Sequence, residues 1–184
     1  MQELSLNILD IAQNSISAGA SLIEIAIIEN LAGNSFSVSI KDNGCGMSPE
    51  FVEKVTDPFT TTRTTRKVGM GLPLLKLAAE MTGGGLDIES RQGVGTEVTA
   101  HFVRDHIDRL PLGDIASTFG TLVFCNPDLD FCLTHSIGDD GYSLSTYELK
   151  DTLGEEVKLD NADVMEWIKA YICENELILL EAIT

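Results

Sequence analysis

Residues 35–47 read SFSVSIKDNGCGM. Phe36, Val38 and Ile40 alternate with serines, the period of a half-buried strand, and the run passes directly into Asp42, Asn43, Gly44, Cys45 and Gly46. A carboxylate therefore stands at a strand end with two glycines behind it, where the backbone can turn and another molecule can come close. Taken alone, Asp42 before Asn-Gly is a turn former, so its meaning depends on the elements around it.

Upstream, residues 4–18 predict a helix, with Leu4, Ile8, Ile11 and Ala12 on one apolar stripe. A polar strip of Asn7, Asp10, Asn14 and Ser17 follows at intervals of three, four and three. A solvated face in so acidic a chain should carry charge rather than two asparagines, so the strip reads as buried or ligand-facing. The run SLIEIAIIE predicts the strand before SFSVSIKD, with a turn-rich loop between them. Downstream, residues 49–56 predict a short helix opened by Pro49.

Residues 57–76, DPFTTTRTTRKVGMGLPLLK, gather Arg63, Arg66 and Lys67 ahead of Gly69, Met70 and Gly71. Cations beside open backbone amides need an anion, and the glycines point to a phosphate held close to the main chain. The helix that follows has Leu74, Leu77, Ala78 and Met81 on one face and ends at Gly83–Gly85. The next run, LDIES-RQGVG-TEVTAHF, predicts a hairpin in which Val98, Ala100 and Phe102 alternate with polar residues. The order is helix, two strands, lid-like loop, helix, hairpin. It predicts an α+β fold, a two-layer sandwich with helices on one face of a mixed or antiparallel sheet.

From about residue 105 the character changes. PLGDIASTFGTLVF predicts a helix, DFCLTHSI-GDDG-YSLSTYEL a hairpin, and NADVMEWIKAYICENEL a helix capped by Asn161, with Val164, Trp167, Ile168, Tyr171 and Ile172 on one face. Residues 1–104 and 105–184 are thus expected to form a first unit and a small acidic subdomain or packed extension. Residues 1–104 hold 12 acids and 8 bases and residues 105–184 hold 17 and 4, so 13 of the 17 net negative charges fall in the second part. Such a surface repels nucleic acid and anionic membrane. No apolar run approaches the ~18 residues of a membrane span, and no signal peptide is visible, so a cytoplasmic protein is expected. The four cysteines lack C-x-x-C spacing, which argues against a zinc ribbon or an iron–sulfur cluster.

Four pieces line up in order: Asp10 to Asn14 on the first helix, Asp42 to Met47, Gly69 to Leu74, and Gly93 to Thr96. Together they resemble the N, G1, G2 and G3 boxes of the GHKL ATPases, which share the Bergerat ATP-binding fold. The resemblance covers roughly residues 4–103. It implies that Asp42 accepts a hydrogen bond from the adenine amino group while Thr96, or a water bridged by Gly46, meets a ring nitrogen, with Gly44 and Met47 in the same box. It implies that Gly69, Met70, Gly71 and Leu72, with Lys67, take the phosphates, that Thr60, Thr61, Thr62 and Arg63 belong to the ATP lid, and that Asn14 contributes an oxygen to Mg²⁺. Several relatives carry a Glu four residues before the N-box Asn, where this chain has Asp10. One helical turn from Asn14, Asp10 is a candidate general base with a shorter reach; ligation through water is the competing reading.

The lid and G2 run are similar to those of histidine kinases, NSISAGA and DNGCGM to those of MutL. With three residues ahead of the first helix, the expectation is an ATP domain without its own phospho-acceptor hairpin. HIDRLPL at 106–112 resembles the kinase H-box, but its acid is displaced to Asp108 and it follows the ATP domain; a loop or helix start punctuated by Pro111 explains it more simply. Two functions of different class follow. One is a kinase acting on a separate protein partner, and the other is a nucleotide-binding module whose lid controls a partner. In both, the acidic second segment offers a docking surface to a basic partner.

Overall fold

The computed structural model describes residues 3–55, 71–154 and 158–181. The chain runs α1 (Leu4–Ser17), β1 (Leu22–Asn30), β2 (Ser35–Asp42), α2 (Pro49–Val55), α3 (Gly71–Glu80), β3 (Gly85–Arg91), β4 (Gly95–Val103), α4 (Ile115–Cys125), β5 (Asp130–Ile137), β6 (Asp140–Ser145), α5 (Thr146–Leu153) and α6 (Ala162–Glu181). The strands form one sheet in the order β3-β4-β2-β1-β5-β6. β1 and β5 are parallel, and the other neighbours are antiparallel. The α+β sandwich expected from the sequence is the architecture observed.

Alternation sets the register. Phe36, Val38 and Ile40 of β2 are buried, as are Val98, Ala100 and Phe102 of β4, and they pair as Phe36↔Phe102, Val38↔Ala100 and Ile40↔Val98. The two phenylalanines meet edge to face at 5.9 Å, an arrangement worth about 1 kcal/mol beyond the area it buries. Two residues further along, the same period carries Asp42 opposite Thr96 on the face that the core residues share.

The boundary expected at residues 104/105 falls in the connection from β4 to α4. Beyond it β5 lies parallel to β1, so both segments build the same sheet, and α4 packs between α1 and α6. Pro111 and Leu112, at the end of the 106–112 run, lie beside the start of α1. No side chain caps α1 at Glu3; instead the Leu4 and Ser5 N–H groups donate to the carbonyls of Pro111 and Leu112 at 3.0 and 2.8 Å. The helix expected to start near Pro111 therefore starts at Ile115, where the Asp114 carboxylate accepts from the Ser117 N–H at 2.8 Å. His106 sits in this turn with Nδ1 accepting from the Asp108 N–H.

α3 shows which of two apolar stripes the core selects. Leu72, Leu75 and Ala79 are buried, whereas Leu74, Leu77 and Met81, the face singled out from the sequence, are exposed. A helix apolar all round must leave one side outside when only one layer covers it.

At the far end of β1 and β5, a charged network ties sheet to helix. His135 is 3% exposed, and its Nδ1 lies 2.7 Å from Glu176 Oε1, which also accepts from the Tyr142 hydroxyl at 2.6 Å. Nε2 faces Glu29 at 3.8 Å, an ion-pair distance rather than a hydrogen bond, and Glu29 in turn accepts from Arg104 Nε at 2.7 Å. Burial works against the charged ring, but the bond to Glu176 and the Glu29 carboxylate outweigh it and hold the imidazolium up to about 9, against 6.5 ordinarily. A raised folded value stabilises fully below pH 6.5 and loses that stability as pH climbs through 9. At about 1.4 kcal/mol per unit, the loss is on the order of 3 kcal/mol. Urea unfolding at pH 6 and pH 9.5 should show it, and the drop should vanish in His135→Gln; a wild-type stability equal at both pH values would rule this account out.

Candidate nucleotide site

Asp42 and Thr96 open into a cavity of about 250 Å³ walled by Ile11, Met47, Val55, Leu72 and Val98, with Asn14, Ser15 and Gly46 also on its lining. The walls come from α1, α2, α3, β2 and β4, and α1 can supply both halves of the lining because its apolar and polar stripes run side by side. That volume lies below the ~300–1,000 Å³ of pockets that hold an entire ligand, which suits one flat ring of a larger molecule.

The Asp42 carboxylate is fixed at both oxygens. Oδ2 accepts from the Ser15 hydroxyl at 2.6 Å and Oδ1 from the Gly44 N–H at 2.9 Å. Ser15 is buried, so α1 orients the acid directly. Behind it, the loop is stitched to three neighbours: the Cys45 N–H donates to Ala18 O at 3.0 Å, the Gly93 N–H to Cys45 O at 2.8 Å, and Asn43 Oδ1 accepts from the Ser21 and Leu22 N–H groups. Gly46 has φ +63°, and a Cβ there would stand 2.1 Å from the Arg91 carbonyl oxygen. Backbone touches backbone here, which only glycine permits.

Thr96 is positioned through Ser90. The Ser90 hydroxyl accepts from the Met47 N–H at 2.8 Å and lies 2.8 Å from Thr96 Oγ1 and 3.1 Å from Gly95 O. Ser90 and Thr96 are a cross-strand pair of the β3–β4 hairpin.

Residues 1–106 match the family model described as "Histidine kinase-, DNA gyrase B-, and HSP90-like ATPase". The chain belongs to that family. Among curated relatives, the sensor protein SrrB of Staphylococcus aureus is 33% identical over 101 residues, 52% of this chain and 17% of that protein. A Rickettsia prowazekii protein described as an NtrY-like sensor histidine kinase is 31% identical over 102 residues, 55% of this chain and 17% of its own length. The match thus takes in less than a fifth of each of these longer proteins. In three dimensions the chain is similar to the N-terminal domain of a DNA repair protein, with a TM-score of 0.57 and 17% identity, over 79% of this chain and 52% of that one. The likeness is one of fold.

Within this ATPase fold, Asn14, Asp42, Gly46, Met47, Leu72 and Thr96 all line the one cavity, and Gly44 stands immediately behind Asp42. Asp10 does not line it. Its side chain is exposed and lies against Gly71, the first residue of α3, where a Cβ would come 3.1 Å from Asp10 Cβ and Oδ2. Thr60, Thr61, Thr62, Arg63, Lys67, Gly69 and Met70 lie outside the described residues. Asn7, the first member of the polar strip, is 2% exposed, and its Oδ1 has no hydrogen-bond partner among the described residues.

Sequence reasoning missed Ser15 and Ser90. Both act through partners that chain proximity does not reveal, although counting the hairpin register back from Thr96 reaches Ser90. The chemistry available in the cavity is recognition: a fixed anionic acceptor, a hydroxyl beside it, and apolar walls for a ring face.

Proposed function

We propose that the chain binds ATP with Mg²⁺ and transfers the γ-phosphoryl group to a separate protein partner. The observation that carries the reading is the Asp42 carboxylate, held by Ser15 and Gly44 on the lining of a largely apolar cavity and aligned with Thr96. An adenine amino group donates to such an acceptor, and Thr96 supplies the neighbouring hydroxyl. Lys67, Arg63, Thr60 to Thr62 and the amides of Gly69 to Leu72 are assigned to the phosphates on charge and sequence.

The donor set fits Mg²⁺. Asn14 offers an amide oxygen on the cavity wall, and among the described residues no group of three or more acids, histidines or cysteines forms a metal site of its own. An ion brought in by substrate phosphates and held by one or two protein oxygens matches that supply. When bound, Mg²⁺ supplies charge neutralisation on the phosphates. Asp10, one turn before Asn14, is the proposed base that accepts the proton of the attacking hydroxyl, and Asn14 orients the nucleotide.

The competing reading is a nucleotide-responsive module without transfer. Its support is the placement of Asp10 outside the cavity and against Gly71. No helix among the described residues is long and apolar enough to cross a membrane, and a cytoplasmic site of action with no nucleic acid partner goes with either reading.

Isothermal calorimetry with Mg-ATP and Mg-ADP tests binding, and γ-labelled ATP with cell extract proteins tests transfer. The kinase reading expects micromolar binding and a labelled acceptor, with label lost roughly 100-fold or more in Asp10→Asn while affinity stays within about threefold. Binding without any labelled acceptor would favour the module, and no binding at all would remove both.

A further inference from the structure

β6 closes one edge of the sheet, and α5 and α6 rise beside it. Between the three lies a groove of about 500 Å³ that shares no residue with the nucleotide cavity. Leu144, Leu149, Leu153, Val164, Trp167 and Tyr171 give it an apolar floor and wall, while among the described residues its ionisable lining, apart from the Tyr171 phenol, is Glu148 and Asp163, both exposed carboxylates.

We propose that this groove docks a segment of a partner protein that carries arginine or lysine beside an apolar side chain. Trp167 is 49% exposed, an unusual place for the one tryptophan of the chain. It is already held in place. Its ring stacks on Tyr171 at 5.4 Å with the planes 23° apart, Tyr171 donates its hydroxyl to Ser143 O at 3.2 Å, and Tyr142 packs on Tyr171 edge to face at 6.3 Å. A preordered aromatic pair exposed in a concave apolar site is what an interface anchor requires.

Charge selects the occupant. A cation arriving over the indole face meets both the ring quadrupole and the carboxylates of Glu148 and Asp163. The nearby ammonium of Lys150 does not supply that cation, because it is engaged by Asp130 at 2.8 Å and the Leu129 carbonyl at 3.0 Å. A second copy of this chain, at net charge −17, is repelled, as is nucleic acid.

Because Trp167 is the sole tryptophan, its emission reports on the groove directly. The full chain is titrated with two octapeptides, one alternating arginine and leucine, the other alternating glutamate and leucine, at two salt concentrations. The expected result is a saturable shift in emission with the arginine peptide, at least tenfold tighter than with the glutamate peptide and weakened as salt rises. The surface pair Glu148→Gln with Asp163→Asn should lose that affinity at least tenfold, and fluorescence anisotropy of labelled arginine peptide on Tyr171→Ala should confirm the aromatic part. An unchanged emission, an equal response to both peptides, or full affinity in the double variant would overturn the proposal. Sedimentation showing a dimer broken by Trp167→Ala would also overturn it, by making a second copy the occupant. Nucleotide binding is measured in parallel on the double variant and should be unaffected, so failure here leaves the ATP site standing.

Discussion

Asp42→Asn lowers nucleotide affinity at least about 100-fold, and the melting temperature stays within a few degrees of wild type. An asparagine keeps one oxygen for the Gly44 N–H, and the Ser15 hydroxyl can turn to accept from the new amide, so the loop retains both of its internal hydrogen bonds. What changes is the atom presented to the cavity: on the proposed adenine contact, an NH₂ group would face the amino group of the base, donor against donor. Loss of a hydrogen bond to a charged group is worth about 1.5–3 kcal/mol, and an unpaired donor adds to it. At 1.4 kcal/mol per tenfold, two decades or more follow. Calorimetry with Mg-ATP and thermal melts on the same samples separate binding from folding. Ser15→Ala should be milder, about tenfold, because the carboxylate stays and only its orientation loosens. If Asp42→Asn bound ATP as well as wild type, Asp42 would have to be reassigned as a turn residue.

Gly95→Ala costs folding stability by about 3 kcal/mol or more, the range reached when a substitution forces strain into packed backbone. Gly95 has φ +142°, and a Cβ on it would stand 1.9 Å from the Asp42 carbonyl oxygen and 2.9 Å from its carbon. The obstructing atoms belong to β2, held on both sides by β1 and β4, and cannot swing away as a side-chain tip would. Gly93 provides the control. It also has positive φ, +77°, but a Cβ there meets nothing within 4 Å, so Gly93→Ala should cost only the conformational ~1–2 kcal/mol. Urea unfolding of both variants decides between packing and conformation: equal losses would mean that the close approach to Asp42 is immaterial. The same variant should weaken nucleotide binding, since the end of β2 and the Thr96 hydroxyl shift together.

How far the sequence reaches depends on whether each element has one interior face. β2 and β4 alternate cleanly, so counting in twos puts Asp42 and Thr96 on the interior face of their strands, but that the two strands are neighbours, with Asp42 opposite Thr96, is visible only in the sheet. α3 carries leucines all round, and counting in threes and fours selects two stripes equally well; only the layer above the sheet decides for Leu72, Leu75 and Ala79. Ser15 and Ser90 look like ordinary small polar residues, because their roles rest on partners brought near by tertiary structure. The Pro111–Leu112 carbonyls that satisfy the first turn of α1 are likewise invisible locally, since any backbone carbonyl would serve and only the fold selects these two.

The parallel pairing of β1 with β5 has a consequence for biosynthesis. Ile25 and Leu133, register partners at the centre of the sheet, are 108 positions apart in the chain. Hairpin partners such as β1 and β2, or β3 and β4, emerge together and can zip as they appear. β1 has to wait. At roughly 5–20 residues per second, a ribosome takes about 5–20 s to add the residues between the end of β1 and the end of β5. For that interval the nascent ATPase unit presents an open, apolar strand edge in LIEIAIIE, the kind of surface on which chains associate wrongly. The acidic second segment, whatever it later contacts, first serves as the piece whose arrival ends that exposure.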